Sequence, residues 1–124
     1  MEGAQLTGCV VLVVEDEPLV SLNLADLLTA AGAHVVCAKK ACEAIQSIER
    51  FQVTAAVLDI NLGDHDCTTI CQHLRERGIP FLFHTGYSTP LDGWSNVPLV
   101  KKPATSQQMT EAVERLCAVH RTAA

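Results

Sequence analysis

Five short apolar runs, Cys9–Val14, Ala33–Ala38, Thr54–Leu58, Phe81–His84 and Val97–Val100, alternate with stretches whose apolar residues recur at helical spacing. The runs are short and nearly continuous, as expected of strands buried on both faces. Val20, Leu24, Leu27, Leu28 and Ala31 share one face of a helix that Pro18 can open, because the missing N–H of proline costs nothing in the first turn, and that Gly32 can close. Ala41, Ala44, Ile45 and Ile48 form a second stripe. Cys67, Ile70, Cys71 and Leu74 form a third, with Asp66 as N-cap and Gly78 as stop. Thr105 and Gln108 make a capping-box pattern ahead of the last stripe, Met109, Ala112, Val113, Leu116 and Cys117. Tyr87–Asn96, with Pro90, Gly93 and a sparse apolar pattern, predicts a fourth helix that is short, irregular or mobile. Strand and helix alternate throughout, which predicts an α/β fold: a five-stranded parallel sheet of order 2-1-3-4-5 with right-handed crossovers and helices on both faces.

The strand ends carry the chemistry. Glu15 and Asp16 follow the first run, Asp59 the third, Thr85 and Gly86 the fourth, and Lys102 and Pro103 the fifth. Parallel α/β sheets place ligands outside the carboxyl ends of their strands, so these distant residues converge. Three carboxylates together repel unless a cation sits among them, and oxygen ligands beside an open side and a nearby phosphate favour Mg²⁺. Length, charge and cysteine usage narrow the picture further. At 124 residues the chain fits a single domain, residues 1–124. No run approaches the roughly 20 apolar residues of a membrane span and the N-terminus does not read as a signal peptide, so a cytoplasmic protein is expected. The formal charge of −5 and the scattered basic residues argue against direct nucleic-acid binding. The six cysteines lack paired CxxC spacing and read as reduced thiols packed as small apolar groups.

The strings VVEDE, VLDIN, HTG and KKP, in this order and at these strand ends, resemble the site of the receiver domain of two-component response regulators. The resemblance spans essentially the whole chain and implies a flavodoxin-like (βα)5 fold. It implies that Asp59 is the phosphoacceptor, that Asp16, Asp59 and the backbone carbonyl of Asn61 bind Mg²⁺ directly, and that Glu15 does so through water. It assigns the phosphate-pairing role to Lys102 rather than Lys101, with a cis Lys102–Pro103 bond, and gives Thr85 the hydroxyl and Gly86 the open approach. The implied partner is a sensor histidine kinase or a histidine phosphotransfer protein of a bacterial two-component system, with output through a protein target and a monomer or phosphorylation-dependent dimer. The chain reads as a stand-alone receiver without an effector domain, a self-dephosphorylating switch rather than a turnover enzyme. The Phe83–Tyr87 segment is similar to an alphaproteobacterial subgroup with a Phe-Ala-Thr-Gly signature, from which His84 departs. Many receivers carry a switching aromatic three positions before the lysine, where this chain has Leu99. The response is therefore expected in Tyr87–Asn96, with Tyr87 shielding the hydrolytic water.

Other readings compete residue by residue. Asp59 alone could cap a loop, and Glu15 and Asp16 could serve the dipole of the following helix. Asp64 and Asp66 read as loop and cap, and Lys101 as a solvated neighbour of Lys102. His65, Cys67, Cys71 and His73 invite zinc, but Ile70 and Leu74 on the same stripe favour core packing. His84 is expected to point away from the Thr85 hydroxyl as a structural residue. Trp94 is open between a partner-facing aromatic and a lid. A haloacid-dehalogenase-type phosphatase requires its nucleophile after the first strand and a second acid where Asn61 stands. A phosphorylation-independent pseudo-receiver would not need the intact acid, Thr and Lys set.

Overall fold

A computed structural model describes residues 5–59, 67–86 and 93–123, with side chains up to residue 118. The elements are β1 (Val10–Val14), α1 (Pro18–Ala30), β2 (His34–Ala38), α2 (Ala41–Arg50), β3 (Ala55–Leu58), α3 (Cys67–Glu76), β4 (Phe81–Thr85), β5 (Leu99–Lys101) and α4 (Ser106–Ala123). The five strands form one parallel sheet in the order β2-β1-β3-β4-β5. This is the expected topology, and no helix among the described residues is long and apolar enough to cross a membrane.

Alternation along the strands sends side chains into two cores. Leu12, Val14, Ala56, Leu58, Phe81 and Phe83 pack under α2 and α3, whereas Val11, Val13, Ala55, Val57 and Leu82 pack under α1 and α4. The central strands β3 and β4 are buried along their whole length, and each enclosed Val, Leu or Phe contributes about 1.5–3 kcal/mol of hydrophobic stabilisation. Cys67, Ile70, Cys71 and Leu74 are all buried on the inner face of α3. The contact with the Cys67 sulfur, and after it burial, push the Cys71 thiol up, so these cysteines are packing groups rather than thiolate ligands. Cys9 and Cys117 are also buried, but Cys37 and Cys42 are exposed, which corrects the expectation that all six pack inside.

The helix ends follow local chemistry. Pro18 stands at the start of α1, and Gly78, at φ 69°, ends the turn after α3 with its N–H donated to the Arg75 carbonyl. The Thr105 hydroxyl accepts from the Gln108 N–H at 3.0 Å and the Gln108 amide oxygen accepts from the Thr105 N–H at 2.9 Å, the reciprocal pair expected ahead of α4. The Glu43 carboxylate accepts the N–H groups of Lys39 and Lys40 at 2.8 and 3.3 Å, an N-terminal cap of α2 that lacks the usual Ser or Thr. The structure describes four helices. Asp66 and residues 87–92 of the expected fourth helix lie outside the described residues, and 93–98 are not helical. Trp94 is neither a lid nor a partner-facing residue: it is buried, its ring 5.9 Å from Phe81, with the Arg75 guanidinium 4.0 Å from its centroid.

Candidate functional site

At the carboxyl edge of the sheet, backbone hydrogen bonds hold the strand ends in register. The Glu15 N–H donates to the Ala38 carbonyl, the Asp59 N–H to the Val14 carbonyl at 3.0 Å, and the Lys102 N–H to the Thr85 carbonyl at 2.7 Å. Asp59 is thereby fixed beside the end of β1, and Lys102 beside the end of β4. One carboxylate oxygen from each of Glu15, Asp16 and Asp59 lies within 4.8 Å of the others. Glu15 and Asp59 are buried, 1% and 4% exposed, while Asp16 is open to solvent.

Lys102 reaches into this group. Its Nζ is 3.1 Å from Glu15 Oε1 and 3.8 Å from Asp59 Oδ2. Glu15 Oε2 accepts the Glu17 N–H at 3.2 Å, so both oxygens of this acid are engaged. The contact ties Glu15 to Glu17, the N-cap residue of α1. Burial pushes Glu15 above the ordinary carboxylate range. The neighbouring Asp59 charge acts the same way, and the hydrogen bonds from Lys102 and Glu17 oppose both. A like-charge pair at this separation repels by on the order of 3 kcal/mol at an effective dielectric near 20. One lysine does not balance three such acids, so the donor set suits a hard divalent cation that still carries water.

The remaining expectations are placed as follows. Thr85 is the last residue of β4 and fully buried, and Leu99 is half-buried in β5. A Cβ on Gly86 would meet no described atom within 4 Å, and the Lys102–Pro103 bond is cis. Lys101, paired in register with Thr85, is exposed, whereas Lys102 turns inward. Asn61, Tyr87, Asp64 and His65 lie outside the described residues. His84 follows Leu82 to the α1 side of the sheet, away from the face that receives Phe81 and Phe83. Sequence reasoning missed the Glu15–Lys102 pair. The two residues are 87 positions apart, and the only signal available was that both sit at strand ends.

The profile of the response regulator receiver domain matches residues 11–114. The chain is 35% identical over 83 residues to the uncharacterized transcriptional regulatory protein YrkP of Bacillus subtilis (strain 168), covering 66% of this chain and 36% of that protein. It is 28% identical over 88 residues to the sensor protein TorS of Escherichia coli (strain K12), covering 70% of this chain and 10% of that one. The chain thus spans a minor part of the curated relatives it matches. Among solved structures, the BeF3-activated conformation of SdrG from Pseudomonas melonis Fr1 is 30% identical, with a TM-score of 0.75 over 94% of this chain and 99% of that one. A receiver protein from Sinorhizobium medicae WSM419 is 24% identical, with a TM-score of 0.81 over 90% and 96%. With the fold, the acidic group and the inward lysine in place, the profile match assigns this chain to the response regulator receiver domains of two-component systems.

Proposed function

We propose that Asp59 accepts a phosphoryl group from a phosphohistidine in a Mg²⁺-dependent reaction. The observation that carries this reading is the convergence of buried Asp59 and Glu15, half-buried Lys102 and exposed Asp16 at three strand ends. An Asp59 carboxylate oxygen attacks phosphorus, the P–N bond to the donor imidazole, which is protonated on its other ring nitrogen, breaks, and the electron pair returns to the nitrogen that held the phosphoryl group. An acyl phosphate on Asp59 and a neutral histidine result. Asp16, Asp59 and, through water, Glu15 would hold the cation, with the Asn61 carbonyl completing the set. When bound, Mg²⁺ neutralises charge on the nucleophile and on the phosphoryl oxygens. Glu15 has both oxygens engaged, which supports giving direct coordination to Asp16 and Asp59.

Lys102, whose ammonium carries three donors, pairs with a phosphoryl oxygen once the group arrives. The Thr85 hydroxyl donates to another oxygen, so charge on the transferring group meets fixed donors. Gly86 leaves room for a water in line with the Asp59–phosphoryl bond, and slow self-dephosphorylation follows. The donor would be a sensor histidine kinase or a histidine phosphotransfer protein in the cytoplasm, and output would pass through a protein contact. The Phe83–Tyr87 segment supports the alphaproteobacterial Phe-Ala-Thr-Gly subgroup, with His84 as a departure. The test is mass spectrometry after incubation with acetyl phosphate and Mg²⁺. One phosphoryl group is expected on wild type and none with chelator or in Asp59→Asn, which keeps shape but removes nucleophilic charge. Undiminished labelling of Asp59→Asn, mapped elsewhere, would sink the assignment and favour another nucleophile.

A further inference from the structure

A cavity of about 530 Å³ lies between α1 and the turn that follows β5, within the size range of small-molecule sites. Val20, Leu24, Leu27 and Met109 supply its apolar lining, and exposed Leu19 and Leu22 extend that lining to the rim. Its polar end is His84 beside Lys102. His84 is 6% exposed, its Nδ1 is enclosed without a hydrogen-bond partner among the described residues, and the ring's remaining surface opens on the cavity.

The protonation state defines what this ring offers. Burial, reinforced by the Lys102 charge and opposed by Asp59, pushes His84 down to about 4, so it is neutral near pH 7. A proton on enclosed Nδ1 would be a buried donor without an acceptor, so the neutral ring carries it on Nε2. The cavity therefore ends in a hydrogen-bond donor and asks for an acceptor. An anion is disfavoured: Lys102 is already engaged by Glu15 and near Asp59, Asp16 joins that group, and Asp26 lines the cavity.

We propose that this cavity binds a small, uncharged, largely apolar molecule bearing a carbonyl or hydroxyl oxygen, which accepts a hydrogen bond from His84 Nε2. Acetophenone, ethylbenzene and benzoate are the probes, titrated into the full chain and followed by amide chemical shifts. Acetophenone gives saturable shifts in α1, at His84 and around Lys102–Ala104, with affinity about five- to tenfold above ethylbenzene, the effect of one hydrogen bond, and benzoate binds weakest. His84→Phe, of similar size and apolar, erases the preference for acetophenone while retaining ethylbenzene. Asn23→Trp, at an exposed α1 position lining the cavity, weakens both. Equal wild-type affinity for acetophenone and ethylbenzene, tightest binding of benzoate, or no saturable shift overturns the proposal even if His84→Phe does not fold. Shifts in the same residues that follow protein concentration without probe would identify a second copy as the occupant and overturn it equally.

Discussion

Replacing Lys102 with methionine keeps most of the aliphatic stem and removes the cation that reaches Glu15 and Asp59. Two carboxylates, 1% and 4% exposed, are left facing each other. Removing one partner of a buried pair costs about 3–5 kcal/mol. The Lys102 side chain is 24% exposed, so water already screens part of the attraction and about 2–3 kcal/mol is the better expectation. For a domain of this length that lowers Tm by roughly 10 °C. The loss depends on pH, with a sign fixed by Glu15. Its folded pKa is raised above the ordinary 4.5, so over that interval the native state holds more protons than the unfolded chain, and stability falls as pH rises. Lys102 opposes that rise. Without it the folded pKa climbs further, and the gap between variant and wild type widens from acid to neutral pH. Thermal unfolding by circular dichroism, metal-free, from about pH 4.5 to 8 measures the gap. Lys101→Met, at an exposed position, is the control and stays within about 0.5 kcal/mol of wild type. A gap independent of pH, or equal losses for the two lysines, refutes the reasoning.

Asp16→Ala weakens Mg²⁺ binding more than Glu15→Ala, because it removes a direct ligand rather than a water-mediated one; a calorimetric titration with the opposite order reverses the proposed coordination. Trp94→Ala costs about 3–5 kcal/mol in a denaturant titration, as expected for a buried aromatic packed on Phe81, and a loss below about 1 kcal/mol contradicts its place in the core. Beryllofluoride with Mg²⁺ alters hydrogen exchange across 87–96. Protection confined to β5 rejects that segment as the carrier of the response, and an unchanged dephosphorylation rate in Tyr87→Ala rejects its shielding role.

The sheet order and the Glu15, Asp16, Asp59 and Lys102 site were legible because each rests on local pattern: an apolar run, a stripe, a functional residue at a strand end. Boundaries moved where a backbone group was missing or already used. The run Val97–Val100 yields a strand only from Leu99, since Pro98 has no N–H to donate, although its carbonyl still accepts from Phe83 at 2.9 Å. Thr54 precedes β3, and its hydroxyl accepts the Val10 N–H at 2.9 Å and donates to the Val10 carbonyl at 3.2 Å. Contacts between residues far apart in sequence left no such pattern. The Glu15–Lys102 pair, the cavity that receives His84 and the seat of Trp94 all depend on which elements the fold brings together.

Trp94 also changes how the switch should be understood. Leu99 stands where many receivers carry a switching aromatic, and Tyr87–Asn96 has a sparse apolar pattern. Trp94 lies within that segment, yet it packs on Phe81 beneath Arg75, and both Trp94 and Leu99 pack with the core that contains Phe83. The aromatic bulk beside β4 is thus supplied from before β5 rather than from it. Movement that carried Trp94 outward would forfeit a buried indole and its cation–π contact, a cost of a few kcal/mol. In the proposed phosphorylation, a phosphoryl oxygen on Asp59 would instead give Lys102 an added charged partner. Such a phosphorylation signal, starting at Lys102 and Thr85, would therefore meet a fixed point at Trp94.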